Sequence, residues 1–466
     1  MESDQVDSRV ITAQMRRDRM RLAAAQAELS ALQQRVAELE KAHPVRAVRA
    51  LRRTALGALR RGFHLLPAGL QQAGRGLRRE GAQPSAQPSA PPAATQPASR
   101  GLALVIDDHW PQPNRDSGSV DIVNLVASLA DLGFEVILAA AREMDGPSPA
   151  RDALVRAGVP CLMPADAGSI EEFLGRRGAE VDLCVLCRVY CGGRFLEAVQ
   201  RSCGKARLVF NSIDLNFLRE ERKALLSGDT AALDIARHVR MREIEIIRGC
   251  DATIVVSRAE LELLGETTPD AYAVEMPLAR PLVPPVTPFA QRQGIGFIGG
   301  FAHAPNVDAM RHFLAEIWPL VLRELPDIEM SIVGADLPAD LLPSAPGRVR
   351  ALGHLPEVGP WFESLRLTVA PLRFGAGAKG KVASSLSAGV PCVASPVAAE
   401  GMSLSVEGGV LVADGPEAFA ARIRDAYTDP VLWQELSTGA VAYAQARLSL
   451  PEWRERLDTM IRRLGL

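Results

Sequence analysis

The chain has 466 residues, of which 47% are apolar and 23% charged, enough for two or three globular domains with ordinary buried cores. A net charge of −2 argues against a protein that coats nucleic acid, so no nucleic-acid partner is expected. The seven cysteines are irregularly spaced, the start MESDQVDSRV has no apolar signal core, and no run of about 18 apolar residues occurs, which suits free thiols in a reducing cytoplasm.

Residues 1–43 read as a coiled-coil stem. Ile11, Met15, Leu22, Ala25, Leu29, Leu32, Val36 and Leu39 form a heptad seam that Asp18 interrupts, and pairing through residues 10–41 would make a homo-oligomer. A single solvated helix is the alternative. Residues 44–80 form a basic amphipathic segment: from Val45 to Arg79 there are nine arginines and no acid, with Val48, Leu51, Ala55, Leu59 and Leu66 roughly on one face. That pattern suits either a helix on an anionic membrane, which would hold the protein at the inner face of the cell membrane, or a solvated connector. Residues 81–100, with QPSAQPSAPPAATQPAS, are a Pro/Ala/Ser linker expected to be disordered.

From residue 101 onward apolar strands alternate with helical periods. GLALVID, FEVILAA, VDLCVLC, ARLVFN and DATIVVS read as strands of one half; GIGFIGG, IEMSIVG, VRALG, LRLTVAPL and VPCVASP as strands of another. NVDAMRHFLAEIWPLVLREL reads as one long helix. Strand–helix alternation bounded by Gly and Pro predicts an α/β protein of two doubly wound, Rossmann-like domains, 101–285 and 286–447. The proline-rich stretch from Met276 to Gln293 is the expected hinge. Residues 448–466 form a last helix without a sheet partner, expected to cross the domain boundary.

In such sheets ligands bind beyond the carboxyl ends of the strands. RFGAGAKGKVASSLSAGVPCVAS, Arg373 to Ser395, is such a strand-end loop and the helix after it. Gly375, Gly377 and Gly380 let backbone approach a ligand, the N–H groups of a helix starting near Lys379 attract anions, and Lys379 and Lys381 add two charges. The ligand suggested is a phosphate or diphosphate; a flexible turn with surface lysines is the plainer alternative. VIDDHWPQPNRDSGS and FIGGFAHAPNVDAM are two further strand ends. Three strand ends from two sheets facing one cleft would suit an enzyme with two substrates.

These stretches, together with NSIDLNFLREE, CDATIVVS and APLRFGAGAKGKVASSLSAGVPCVASPVAAEGM, resemble the GT-B-fold glycosyltransferases of family four, also called glycosyl transferases group 1, over about residues 101–447. The resemblance implies retaining transfer of a hexose-type sugar from a nucleotide-sugar donor on the C-terminal domain to a glycan, lipid-linked or protein acceptor on the N-terminal domain, in bacterial surface polysaccharide synthesis. It implies neither cofactor nor metal, and the chain has no Asp-x-Asp pair. Carried over by motif, Lys379 and Lys381 would neutralise the diphosphate, with Arg373 a weaker candidate; Gly118 would give backbone access near the sugar phosphate, and Asp214 would sit near the transferred sugar or the acceptor. Gly375, Gly377, Ser384, Glu400 and Asn306 complete the donor side. Asp108, His109 and Asn216 belong to the acceptor side.

The chain departs from the family pattern at three places. Ala376 and Ser384 stand where most members have two glutamates eight residues apart, so Glu400 is a candidate for the donor ribose. Asn216 stands where relatives often have histidine, and GGFAH lacks the usual Arg and Lys. The competing functional class is therefore a GT-B module that binds without turnover. Cys184, Cys187 and Cys191 are spaced C-x₂-C-x₃-C, but strand alternation puts the first two on opposite faces, which makes them buried hydrophobes and not ligands. His303 and Asp308 have structural readings, in loop packing and helix capping.

Overall fold

A computed structural model describes residues 99–466 apart from Asp145, Pro284, residues 343–346 and Ser403. The expected stem, basic segment and linker up to residue 98 lie outside the described residues.

In the first half β1 (Gly101–Asp107) leads into α1 (Ser117–Asp131) and β2 (Phe134–Ala140). Two short helices, α2 (Pro149–Arg156) and α3 (Ile170–Arg177), bring the chain back to β3 (Val181–Cys187). Then come α4 (Val189–Ser202), β4 (Arg207–Asn211), the helices α5 (Asn216–Ser227) and α6 (Thr230–Gly249), β5 (Ala252–Val255), α7 (Arg258–Thr267) and β6 (Ala273–Glu275). The strands pair in the order β2-β1-β3-β4-β5-β6, all parallel. Helices on both faces bury both sides of the central strands, which is why β1 and β3 are near-continuous apolar runs. Cys184, Cys187 and Cys191 are buried in this core.

The second half begins with β7 (Ile295–Ile298), α8 (Ala304–His312) and α9 (Trp318–Glu324). The single helix expected here is interrupted by a π turn at Phe313–Ile317. Pro319 in the first turn of α9 explains it: its ring clashes with the carbonyl four residues back, and widening the preceding turn relieves the clash. There follow β8 (Glu329–Val333), β9 (Arg348–Gly353), α10 (Gly359–Ser364), β10 (Leu367–Ala370), α11 (Gly380–Ser387), β11 (Cys392–Ala394) and α12 (Pro396–Ala399). The half closes with β12 (Val410–Val412), α13 (Pro416–Thr428) and α14 (Pro430–Arg447). The parallel order is β12-β11-β10-β7-β8-β9. Neither β6 nor β12 is expected from sequence, because three residues carry no readable alternation.

The last helix, α15 (Leu450–Arg463), returns to the first half. Trp453, Leu457, Met460 and Ile461 enter the core of the first sheet. Asp458 accepts from Arg100 at 2.6 Å, Arg454 pairs with Asp131, and Arg463 stacks over Tyr272. Both sheets lie in one compact unit. Each sheet reverses its winding once, between β1 and β3 and between β7 and β10, and these switch points are where loops diverge to leave a crevice.

Candidate active site

At the second switch point the loop after β7 carries Gly299, Gly300 and His303, and the loop after β10 runs from Pro371 to Lys379. Lys379 is the N-cap residue of α11, extended in backbone and making no side-chain cap bond, so the N–H groups of Gly380 and Lys381 receive no bond from the cap side chain, while the Val382 N–H donates to the Lys379 carbonyl at 2.9 Å. Its ammonium group turns back onto the loop, donating to the Ala376 carbonyl at 3.0 Å and to the Gly377 carbonyl. Lys381 reaches under the loop to Asn306, Nζ to Oδ1 at 2.9 Å, and lies over the Phe297 ring. Asn306 in turn donates to the Gly300 carbonyl at 2.7 Å, tying the two diverging loops together. Arg373 is held by Asp308, Nε to Oδ2 at 2.9 Å. Ser384 is half-buried on α11.

At the first switch point Arg188, on the β3 exit, donates to the buried Asp107 at 2.8 Å. Asp116 caps α1 by accepting from the Ser119 N–H at 2.8 Å. Gly118 lies in that first turn, where a Cβ would stand 3.1 Å from the Arg188 guanidinium. Asp108 accepts from Arg142 at 2.7 Å and pairs with His109 at 3.0 Å. After β4 the β-branched Ile213 has φ 65°, a strained conformation for such a residue. The turn it begins carries Asp214 and Asn216, and Arg219 bonds the side chains of both. Two buried glutamate side chains hold this turn. Glu260 accepts from Leu215 N–H at 2.8 Å; Glu243 accepts from Asn216 and Phe217 N–H at 3.1 and 2.9 Å.

The two switch points face each other across a closed seam. Gly377, at φ 65°, abuts the other half so tightly that a Cβ would stand 2.9 Å from Val256 and 3.1 Å from Asp214. A Cβ on Gly380, at the start of α11, would collide with Ser117, at the start of α1, at 2.1 Å from its hydroxyl. Two helix N-termini from two domains therefore converge. Buried Arg280 sits beside them, donating to Ser117 and, at 2.6 Å, to Asp121. Arg222 of α5 bonds both oxygens of Glu400, at 2.6 and 2.8 Å, and the Gly375 carbonyl at 2.8 Å.

Burial dominates the electrostatics. It pulls the Lys379 ammonium down to about 8, against the opposing pull of Glu260, Glu400 and Asp214. Burial and the charge of Lys379 bring Lys381 to about 8 as well. His303 is exposed at the surface, yet desolvation by its surroundings, then the charges of Lys381 and Arg219, lower its imidazole to about 4. Burial would raise Glu400, but its bonds to Arg222 hold it below its usual value. Lys379 and Lys381 thus lie where two helix dipoles also point, while Arg219, Arg222 and Arg280 are each paired with a carboxylate.

Sequence reasoning misses Arg219, Arg222, Arg280, Glu243 and Glu260. Only Glu260 has a sequence signal, the Ser257-x-x-Glu260 capping pattern, and that signal points to a helix start and not to a site. A separate cavity of about 330 Å³, lined by Gln200, Cys203, Arg248 and Cys250, lies at the opposite, N-terminal ends of β4 and β5. Among the described residues no three His, Cys, Asp or Glu side chains gather as metal ligands do, and no helix is long and apolar enough to cross a membrane.

Residues 292–429, nearly all of the second domain, match the family described as glycosyl transferases, group 1. No curated protein matches the chain in sequence. Among solved structures, sucrose-phosphate synthase from Thermosynechococcus elongatus aligns at TM-score 0.61 and 16% identity, covering 78% of this chain and 99% of that one. TarM aligns at 0.62 and 10% identity, covering 78% and 98%. HepE of Anabaena, solved with UDP-glucose, aligns at 0.56 and 12% identity, covering 78% and 99%. The two six-stranded sheets have the GT-B architecture, and the second of them carries the sequence pattern of group 1 glycosyltransferases.

Proposed function

We propose that this GT-B chain, with the group 1 glycosyltransferase pattern in its second domain, moves a sugar from a nucleotide-sugar donor to an acceptor with retention of anomeric configuration. The observation that carries the reading is the meeting of the α1 and α11 N-termini at Ser117 and Gly380, with Lys379 between the domains. A diphosphate bound there accepts from open backbone N–H groups and faces a buried ammonium, so the charge it gains on leaving is stabilised by groups already in place. Ser384 would offer a hydroxyl on the donor side, where the resemblance implies a carboxylate in most members. Asp214, Asn216, Asp108 and His109 would face the acceptor. Glu400 binds the ribose only if it is released by Arg222.

The solved complex of HepE with UDP-glucose supports a uridine nucleotide sugar as the first donor to test. A glycan, lipid-linked or protein acceptor of bacterial surface polysaccharide synthesis is the class proposed, with no cofactor or metal called for. Oligomerisation through residues 10–41 and contact of residues 45–79 with an anionic membrane rest on sequence pattern alone. Incubation of the full chain with a panel of nucleotide sugars, followed by release of nucleoside diphosphate, tests the reading. Release with one donor, at a rate set by an added acceptor, supports it. Binding of nucleotide sugars without release from any of them would favour a binding module instead.

A further inference from the structure

Glu260 takes no part in the proposed transfer step, yet it is 1% exposed and lies at the seam between the two domains. As the third residue of α7 it follows Ser257, whose hydroxyl accepts from its N–H at 3.2 Å. The glutamate of an ordinary capping box only reaches back to its own helix start. Here the carboxylate does more. One oxygen accepts from the Leu215 N–H at 2.8 Å, fixing the turn that begins at the strained Ile213 and carries Asp214. The other accepts from the Ser257 hydroxyl at 3.1 Å and the Val256 N–H at 3.3 Å.

Across the seam Gly377 packs on this same carboxylate: a Cβ there would stand 3.5 Å from Oε1. The Gly377 carbonyl is one of the two that accept from Lys379. Glu260 is faced by Asp214, Lys379 and Glu243, and Lys379 by Glu260, Glu400, Asp214, Arg222, Lys381 and His303. A lysine buried this deeply sheds its proton unless an anion stays close.

We propose that Glu260 is a positioning residue of the candidate site: it fixes the Asp214 turn from one domain and supplies the buried negative charge that keeps Lys379 of the other domain a cation. The inference rests on the proposed binding of a diphosphate at Lys379. Burial pushes both groups toward their neutral forms, Glu260 up to about 7 and Lys379 down to about 8, and the charge of each opposes that shift in the other.

The test uses the full chain and the variants Glu260→Gln, Glu260→Asp, Lys379→Met and Glu260→Gln/Lys379→Met. Affinities for UDP, GDP and ADP are measured by calorimetry between pH 6 and 9, and melting temperatures are recorded for every variant. With Glu260→Gln, the alkaline fall in affinity should begin about one pH unit below that of wild type, a tenfold shift in the Lys379 proton equilibrium. Glu260→Asp, which keeps the charge, should leave the fall near its wild-type position. The melting losses of Glu260→Gln and Lys379→Met should be non-additive in the double variant. A wild-type pH profile for Glu260→Gln, or strictly additive losses, would reduce Glu260 to a helix cap and overturn the proposal. If wild type binds none of the three nucleotides, the proposed function fails, while the melting cycle still decides the role of Glu260.

Discussion

Arg222 and Glu400 are joined by two parallel hydrogen bonds, Nη1 to Oε2 at 2.6 Å and Nη2 to Oε1 at 2.8 Å, and the pair spans the two domains. Fork-to-fork geometry of this kind fixes direction as well as distance. Because Arg222 also bonds the Gly375 carbonyl, the pair fastens the glycine loop to α5. Replacing either residue with alanine should loosen the seam, and a double-mutant cycle in chemical denaturation should give a coupling of about 1–2 kcal/mol. A coupling indistinguishable from zero would show that the contact carries no energy in solution.

Lys379→Ala should lower sugar transfer by about 10²–10³-fold, the usual cost of removing one preorganised charge-stabilising group. The same change removes the donor to the Ala376 and Gly377 carbonyls, so Lys379→Arg, whose planar fork does not fit two adjacent carbonyls, should not restore the rate. Initial rates at saturating donor measure this, and an unimpaired alanine variant would remove Lys379 from the site.

Gly380→Ala puts a methyl group where Ser117 already stands, 2.1 Å from its hydroxyl. Alanine suits a helix start as well as glycine does, so circular dichroism should be unchanged while the two helix N-termini are forced apart. Transfer and nucleoside diphosphate affinity should fall together. Loss of neither would mean that the contact between α1 and α11 is incidental.

Removal of residues 450–466 strips Leu457, Met460 and Ile461 from the first core. At about 1.5–3 kcal/mol for each buried side chain the loss is about 5–9 kcal/mol, comparable to the whole stability of a typical domain. The truncated chain should aggregate or bind a hydrophobic dye; a soluble truncation melting at the wild-type temperature contradicts the role of α15.

Glu243 sets a pH dependence of stability. Burial raises its carboxyl from 4.5 to about 8 in the folded chain. The folded state therefore binds more protons than the unfolded one between these values. The stabilisation is complete below pH 4.5 and is lost as pH rises through about 8, by up to about 1.4 kcal/mol per unit. Glu243→Gln should remove that component, so wild type minus variant stability should decline with rising pH over this window. A flat difference would show that Glu243 is ionised throughout.

The alternation of apolar strands and helices from Gly101 to Pro396 determined two parallel sheets, because a strand buried on both faces has to be apolar at nearly every position. The glycine and lysine spacing of residues 375–381 marked the open helix start for the same local reason: caps and turns are written in adjacent residues. Tertiary structure alone decided what faces that start. Arg222, Arg280, Glu243 and Glu260 are ordinary helix or hinge residues by sequence, and each acts on groups that the fold brings from far along the chain, as Arg222 does on Glu400, 178 positions away. Their effect depends on burial, and for Arg222 and Glu260 also on charges that only meet when two separately wound sheets close on each other. No local pattern encodes that meeting.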